Sequence, residues 1–192
     1  MSERADPRQQ RELLMRLLQE KAQEPPQAAA SCAQRRLWLV NRLEEPNPSY
    51  NVPFHLRLRG ALDAQLLERS LGEVVRRHAV LRTTFREVDG EPVQVIAPGV
   101  TVPVAVIDLT HTAGADLRSR VALLIREESE ALFDIARGPL IRAKLLRIAP
   151  QEHVLVLVMH HIVSDGWSVG VLVRELFTIY EALRAGRESP LP

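Results

Sequence analysis

The feature that most constrains the fold is an apolar run, residues 154–159 (VLVLVM), that ends in two adjacent histidines. Successive side chains of a strand point to opposite faces, so both faces of this segment are apolar. We therefore expect a strand covered by other elements on both sides. The run is far shorter than the roughly 20 residues needed to cross a bilayer. His160 and His161 should face opposite ways at its carboxyl end, where they cannot easily bind one metal ion.

The residues after the histidines indicate a functional loop. Asp165 and Gly166 follow within a few positions, and a helical apolar pattern begins soon afterwards. A loop that leads from the carboxyl end of a strand into a helix is a common place for ligand sites in α/β folds. A histidine there can accept a proton from an attacking amine or hydroxyl. Gly166 permits a tight turn or a close approach. For His160, a structural hydrogen bond is the simpler explanation.

Composition narrows the class of protein. The 192 residues are 46 % hydrophobic and 26 % charged, which is typical of a soluble globular chain of one or two domains. A net charge of +1 provides no global field for nucleic acid or an anionic membrane, so we expect neither as a partner. The single cysteine, Cys32, excludes an internal disulfide, and the first 25 residues lack the apolar stretch of a signal peptide. We therefore expect a cytoplasmic protein.

The chain divides into four parts. Residues 1–24 are predicted to form a leader helix, either an ordinary amphipathic helix or a docking element for a partner protein, and the two interpretations are equally supported. If Met1 is the natural start, the module would be the first on its polypeptide. Residues 25–30 are predicted to be a linker, residues 31–186 the main body, and residues 187–192 the start of a second linker.

Within the body, hydrophobic periodicity predicts helices and strands in alternation. Helices are expected at residues 33–43, from the cap Asp63 to about 78, at 116–137 with Leu132 facing inward, and from 168 to 186. Strands are expected at residues 52–58, 81–88, 92–96, 102–108, 139–148 and 153–160. The pair Asp89-Gly90 predicts a hairpin. The last helix should pack beside the strand that carries the histidines.

Three segments, in this order, resemble the motifs of one family. Residues 31–38, SCAQRRLW, resemble SxAQxRLW; residues 77–85, RHAVLRTTF, resemble RHxxLRTxF; and residues 160–168, HHIVSDGWS, resemble HHxxxDGWS. These are motifs of the condensation domains of non-ribosomal peptide synthetases, which are relatives of chloramphenicol acetyltransferase. The resemblance implies an α/β fold with a mixed, largely antiparallel sheet and flanking helices, half of a chloramphenicol acetyltransferase-like pseudo-dimer.

The resemblance covers residue 31 to the end of the chain but only the N-terminal subdomain of a condensation domain. The later motifs of the family, which belong to a C-terminal subdomain, have no counterpart here. In the family the active-site channel runs between the two subdomains. We therefore expect this fragment alone to be inactive or nearly so, and to expose an apolar surface that promotes self-association.

The activity implied by the resemblance is amide bond formation. The amino group on an acceptor phosphopantetheine arm attacks the thioester carbonyl on a donor arm, so the partners are donor and acceptor peptidyl carrier proteins and no cofactor is bound directly. His161 would position the reacting groups with partial general-base character. Gly166 would lie near the reacting groups, where a side chain would crowd the pantetheine arms. A true condensation domain fits better than a heterocyclisation or epimerisation domain.

The remaining motif residues have structural roles by the same resemblance. Asp165 would pair with an arginine, with Arg82 as the first candidate and Arg36 as the second. Arg82 also has a plain alternative as a solvent-facing side chain, and the two are equally supported. The other motif positions are expected to pack or to hydrogen-bond rather than to contact substrate, and no metal ligand is expected among them: His160, Trp167, Ser168 and, in the first motif, Trp38.

Two other functions remain open. A stand-alone acyltransferase of the same superfamily would share the histidine motif, although Trp167-Ser168 and the first two motifs count against it. A non-catalytic module that binds carrier proteins or a docking partner would account for the missing second subdomain.

Overall fold

The computed structural model describes residues 25–45 and 47–191, together with the isolated positions 11 and 15. The predicted leader therefore lies outside the described residues except at those two positions. The helices between residues 25 and 191 are α1 (Cys32–Leu43), α2 (Ala64–Arg77), α3 (Gly114–Glu130) and α4 (Gly166–Arg184). The strands are β1 (Gln27–Ala29), β2 (Asn51–Arg59), β3 (Thr83–Val88), β4 (Glu91–Ile96), β5 (Val104–Asp108), β6 (Ile141–Ala149) and β7 (Glu152–His160).

The strands form two sheets rather than one. The larger sheet has the order β2-β7-β6-β5, and the smaller sheet has the order β1-β4-β3. Only β5 and β6 are parallel among these pairs; every other pair in the described chain is antiparallel. The predicted α/β class with a mixed, largely antiparallel sheet is confirmed. The predicted hairpin is also present, since Asp89 and Gly90 have φ angles of 51° and 83° between β3 and β4.

Helices cover both faces of the larger sheet. On one face, Leu155, Leu157 and Met159 of β7 share a core with residues of α2 and α4. On the other face, Val154, Val156 and Val158 pack with Leu124 of α3 and its neighbours. The expectation of a strand buried on both sides is confirmed, as is the packing of α4 against β7. The continuous apolar run of β7 follows from this double coverage.

The helix predicted at residues 116–137 ends early, at Glu130. The guanidinium of Arg142, on β6, donates hydrogen bonds to the carbonyl groups of Glu128, Ala131 and Leu132. These carbonyls at the end of the helix have no partner within it, and the arginine satisfies them. Leu132 then lies outside α3 and is 52 % exposed, so its predicted inward position is wrong.

Three other boundaries also differ from the sequence-based expectation. Residues 79–82 form a short 3₁₀ helix (Ala79–Arg82), so the strand predicted from residue 81 begins at Thr83. The strand predicted from residue 102 begins at Val104, after Pro103, which cannot donate to a ladder. Part of the predicted linker 25–30 is the strand β1, which pairs with β4. Only the last of these differences depends on a distant segment, since β4 supplies the hydrogen-bond partners of β1.

Among the described residues, none of the helices combines the length and apolar character that a bilayer span requires.

Candidate active site

The two histidines lie in opposite environments, as the alternation of the strand predicts. His160 is the last residue of β7 and is 4 % exposed, whereas His161 is exposed. The ring of His160 packs edge-on against Phe133 with 6.1 Å between centroids. Its Nδ1 accepts a hydrogen bond from the backbone N–H of Ile162 at 3.1 Å. Burial, and secondarily the proximity of His161, lowers the pKa of His160 to about 4, so this ring is neutral inside the fold.

The exposed histidine is held in one tautomer. The backbone N–H of His161 donates to the carbonyl of Tyr50 at 2.8 Å, which continues the β2–β7 pairing by one residue. Its Nδ1 lies 2.6 Å from the carbonyl oxygen of Ser164. Because a carbonyl only accepts, Nδ1 must carry the proton, and Nε2 of the neutral ring is the nitrogen with a lone pair. His161 is thereby prepared to accept a proton or a hydrogen bond through Nε2.

The histidine loop, residues 161–165, is closed by hydrogen bonds to its two ends. At the strand end, the backbone N–H of Val163 and the hydroxyl of Ser164 both donate to the carbonyl of His160. At the helix end, Asp165 is the N-cap of α4 and accepts from the backbone N–H of Ser168 at 2.7 Å and from its hydroxyl at 2.5 Å. These bonds from Ser168 lower the pKa of Asp165. The capping starts α4 at Gly166, two residues before its predicted start.

The predicted ion pair of Asp165 with an arginine is not formed, although all the residues concerned are described. The guanidinium of Arg82 instead donates to the carbonyls of Val75, Arg76 and Ala97. Arg82 therefore joins the end of α2 to the segment after β4, which neither alternative for it anticipated. Arg36 lines the open cleft beside the histidine loop.

One further expectation about the motif is wrong, and of the two roles expected for Gly166 the tight turn is not seen. Trp167 is 84 % exposed and does not pack in the core, whereas Trp38 is half-buried against the cluster of Phe85, Leu140 and their neighbours, as expected. Gly166 is not required by backbone geometry, because it adopts a helical conformation and has no positive φ. A Cβ added at Gly166 would meet no atom within 4 Å, so the described residues leave open space there.

The cleft that contains His161 lies between α1 and the histidine loop. It has a volume of about 710 Å³, and its lining includes Ser31, Gln34, Tyr50 and Asp165. The described part of the chain contains no group of three or more histidine, cysteine, aspartate or glutamate side chains placed to bind a metal ion. The side chains that line the cleft supply the imidazole of His161, the guanidinium of Arg36, the carboxylate of Asp165, the amide of Gln34 and several hydroxyl groups.

A family model described as the condensation domain matches residues 26–192 of this chain. The chain belongs to the condensation domain family. Chondramide synthase cmdD of Chondromyces crocatus is 47 % identical over 161 residues, and malpibaldin synthetase of Mortierella alpina is 40 % identical over 162 residues. Each of these matches covers 84 % of the chain but only 4 % and 3 %, respectively, of the relative.

Solved condensation domains share the fold. The starter condensation domain of rhizomide synthetase RzmA matches with a TM-score of 0.79 and 27 % identity, over 87 % of this chain and 40 % of that chain. The X-domain, solved in a complex with OxyB from teicoplanin biosynthesis, matches with a TM-score of 0.75 and 34 % identity, over 88 % of this chain and 35 % of that chain. This chain thus spans less than half the length of these solved relatives.

The first and third condensation domain motifs are joined by Gln34, a residue whose role in the site was not predicted. Gln34, from the first motif, donates from Nε2 to the carbonyl of Ile162 in the histidine loop at 3.3 Å. Its Oε1 accepts from the backbone N–H of Ser31, while the Ser31 hydroxyl accepts from the backbone N–H of Gln34. These two bonds form a capping box, which the spacing of Ser31 and Gln34 predicts. The capping box fixes the side chain of Gln34 in the position from which it binds the histidine loop.

The second condensation domain motif contacts α4. Nε2 of His78 lies 2.7 Å from Oε2 of Glu175, and Nε of Arg77 donates to the same oxygen at 3.3 Å. Burial alone would raise the pKa of Glu175, but the interactions with His78 and Arg77 outweigh it, and the pKa is lowered. Glu175 was not predicted from the sequence, since nothing in the local pattern distinguishes it from other charged residues of the helix.

Proposed function

We propose that this chain provides the histidine-bearing part of a condensation site that forms an amide bond between two carrier-bound thioesters. The observation that carries the proposal is the state of His161: an exposed imidazole in an open cleft, with Nδ1 held by the carbonyl of Ser164 and the lone pair on Nε2. The adjacent His160 is buried and neutral, so only His161 is available to a substrate.

The reaction needs little from the protein beyond the positioning of the amine and the thioester. A neutral amine attacks the thioester carbonyl, the N–C bond forms, and the C–S bond breaks as the tetrahedral intermediate collapses. One amine proton passes to Nε2 of His161 and then to the departing thiolate, so the products are an amide and a thiol. A thioester is already activated, and holding the amine in line can supply much of the acceleration. We therefore assign His161 positioning with partial general-base character.

The substrates in this proposal arrive on the phosphopantetheine arms of donor and acceptor carrier proteins, and no cofactor takes part. The open space at Gly166 supports this, because a Cβ there would meet no described atom within 4 Å and a glycine leaves the most room beside the histidine loop for a pantetheine arm. The chain spans about 40 % of a solved condensation domain, so we propose that a further subdomain completes the channel. By the same reasoning, residues 1–192 alone have little or no activity.

A second candidate is a recruitment module without catalysis. It is favoured by one observation: an X-domain solved in a complex with another protein, OxyB, is 34 % identical to this chain. The exposed, tautomerically defined His161 favours the catalytic proposal, since a binding surface has no need of an oriented imidazole.

The experiment is amide formation by the complete condensation domain that contains this sequence, with loaded donor and acceptor carriers. We expect His161→Ala to lower the rate by about 10² to 10⁴-fold, the range of general acid–base contributions. The matched control is His55→Ala, which removes an exposed histidine of β2 that does not line the cleft. Carrier binding and thermal unfolding are measured on the same samples. An unchanged rate for His161→Ala, with normal carrier binding, would refute catalysis through His161 and favour recruitment.

A further inference from the structure

A second, smaller cavity lies next to the histidine cleft. It has a volume of about 130 Å³ and is located between the short 3₁₀ helix Ala79–Arg82 and the first turns of α4. We call it the side pocket. Most of its wall is aliphatic or thioether, from Val80, Leu81, Met159, Val163, Val171 and Leu172.

The side pocket and the histidine cleft share part of their walls. Val80, Val163, Ser164 and Ser168 line both. The carbonyl of Ser164 is also the acceptor for Nδ1 of His161. The side pocket is therefore adjacent to the cleft that contains His161.

The two hydroxyl groups at this boundary and Nε2 of His78 are already engaged. The hydroxyl of Ser164 donates to the carbonyl of His160, and the hydroxyl of Ser168 donates to Asp165. Nε2 of His78 is bonded to Glu175. A polar or charged occupant would lose its hydration for few new partners, whereas an apolar occupant has no hydrogen bonds to lose. The chemistry of the wall therefore favours an aliphatic group.

We infer that the side pocket receives the apolar side chain of one of the two thioester-bound aminoacyl substrates, and that Val171 is a specificity-determining residue. The inference rests on the proposed function. An apolar cavity of about 150 Å³ can hold benzene. A pocket of about 130 Å³ thus has the size of a branched aliphatic side chain and is small for an indole. Val171 lies on α4, one turn beyond the exposed Trp167, where a change in its size alters the depth of the pocket.

The test measures kcat/KM for amide formation by the complete condensation domain, with alanyl, valyl, leucyl and phenylalanyl thioesters. Each is offered as donor against a fixed acceptor and then as acceptor against a fixed donor. We expect Val171→Phe to lower the leucyl-to-alanyl ratio by about tenfold or more, the scale on which a hydrophobic pocket discriminates methylene groups. Val171→Ala should raise the phenylalanyl-to-leucyl ratio. The ratios should change either when the substrate is varied as donor or when it is varied as acceptor, but not in both series. The series that changes identifies the substrate whose side chain enters the pocket.

The control is Val173→Ala, the same substitution on the same helix at a half-buried position outside the pocket wall. It should leave every ratio unchanged. If Val171→Ala and Val171→Phe change all substrates equally on both arms, the pocket does not read a side chain and the inference is wrong. Val171→Ala keeps the test valid if the larger variant fails to fold. Absence of product from the wild type with every pair would instead refute the proposed function.

Discussion

The two adjacent histidines should respond oppositely to mutation. His160→Ala removes a buried ring and leaves the backbone N–H of Ile162 without its acceptor. An orphaned buried donor costs about 1–3 kcal/mol. The lost ring contacts with Phe133 and Tyr50 add about 0.5–1.5 kcal/mol each. We expect a loss of about 2–6 kcal/mol in the free energy of unfolding. His161→Ala loses one hydrogen bond at the surface, worth about 0.5–1.5 kcal/mol.

The same burial predicts a pH dependence. The pKa of His160 is lowered from 6.5 to about 4, chiefly by burial. Between these values the unfolded chain binds a proton that the folded chain does not, so the free energy of unfolding falls as the pH falls from 6.5 towards 4. Below pH 4 both states are protonated and the loss is complete. The difference between 6.5 and 4 corresponds to about 3 kcal/mol.

Urea unfolding of the 192-residue chain, followed by circular dichroism at several pH values, tests both statements. His160→Asn is the informative variant, because its side-chain oxygen can replace Nδ1 as the acceptor for Ile162 but does not titrate. We expect it to be more stable than His160→Ala and to lose less stability than the wild type between pH 6.5 and pH 4. If its pH profile matches that of the wild type, or if His160→Ala is as stable as His161→Ala, the reasoning from burial is refuted.

Two other predictions concern the motif after the histidines. Asp165→Ala should lower Tm, because the backbone N–H of Ser168 loses its acceptor. Asp165→Asn keeps a capping oxygen and should have a Tm close to that of the wild type. Equal losses of Tm in both variants, measured by differential scanning calorimetry, would indicate that the charge of Asp165 matters and not the cap. Gly166→Ala should leave the Tm of the chain unchanged, since the added methyl group meets no described atom. The same variant should lower the rate of amide formation by the complete condensation domain by about 10²-fold, because a pantetheine arm passes there in the proposed function. A fully active variant would exclude that path.

Local patterns predicted most of the elements and the opposite faces of the two histidines. The apolar run of β7 implied coverage on both sides, and the spacing around Asp63 and Asp89-Gly90 located a helix start and a hairpin. These features depend on residues a few positions apart, where side-chain period and turn chemistry decide the conformation. The three motifs also predicted the family to which the chain belongs.

The tertiary structure decided which distant groups meet. Gln34 and Ile162 are 128 positions apart in the chain, and their hydrogen bond links the first motif to the histidine loop. Arg142 ends α3 by binding its last carbonyls, and Arg82 binds carbonyls instead of Asp165. An arginine has five donors and can satisfy any carbonyl or carboxylate within reach. Its partner therefore follows from the packing of the sheets and helices and not from any local pattern in the sequence.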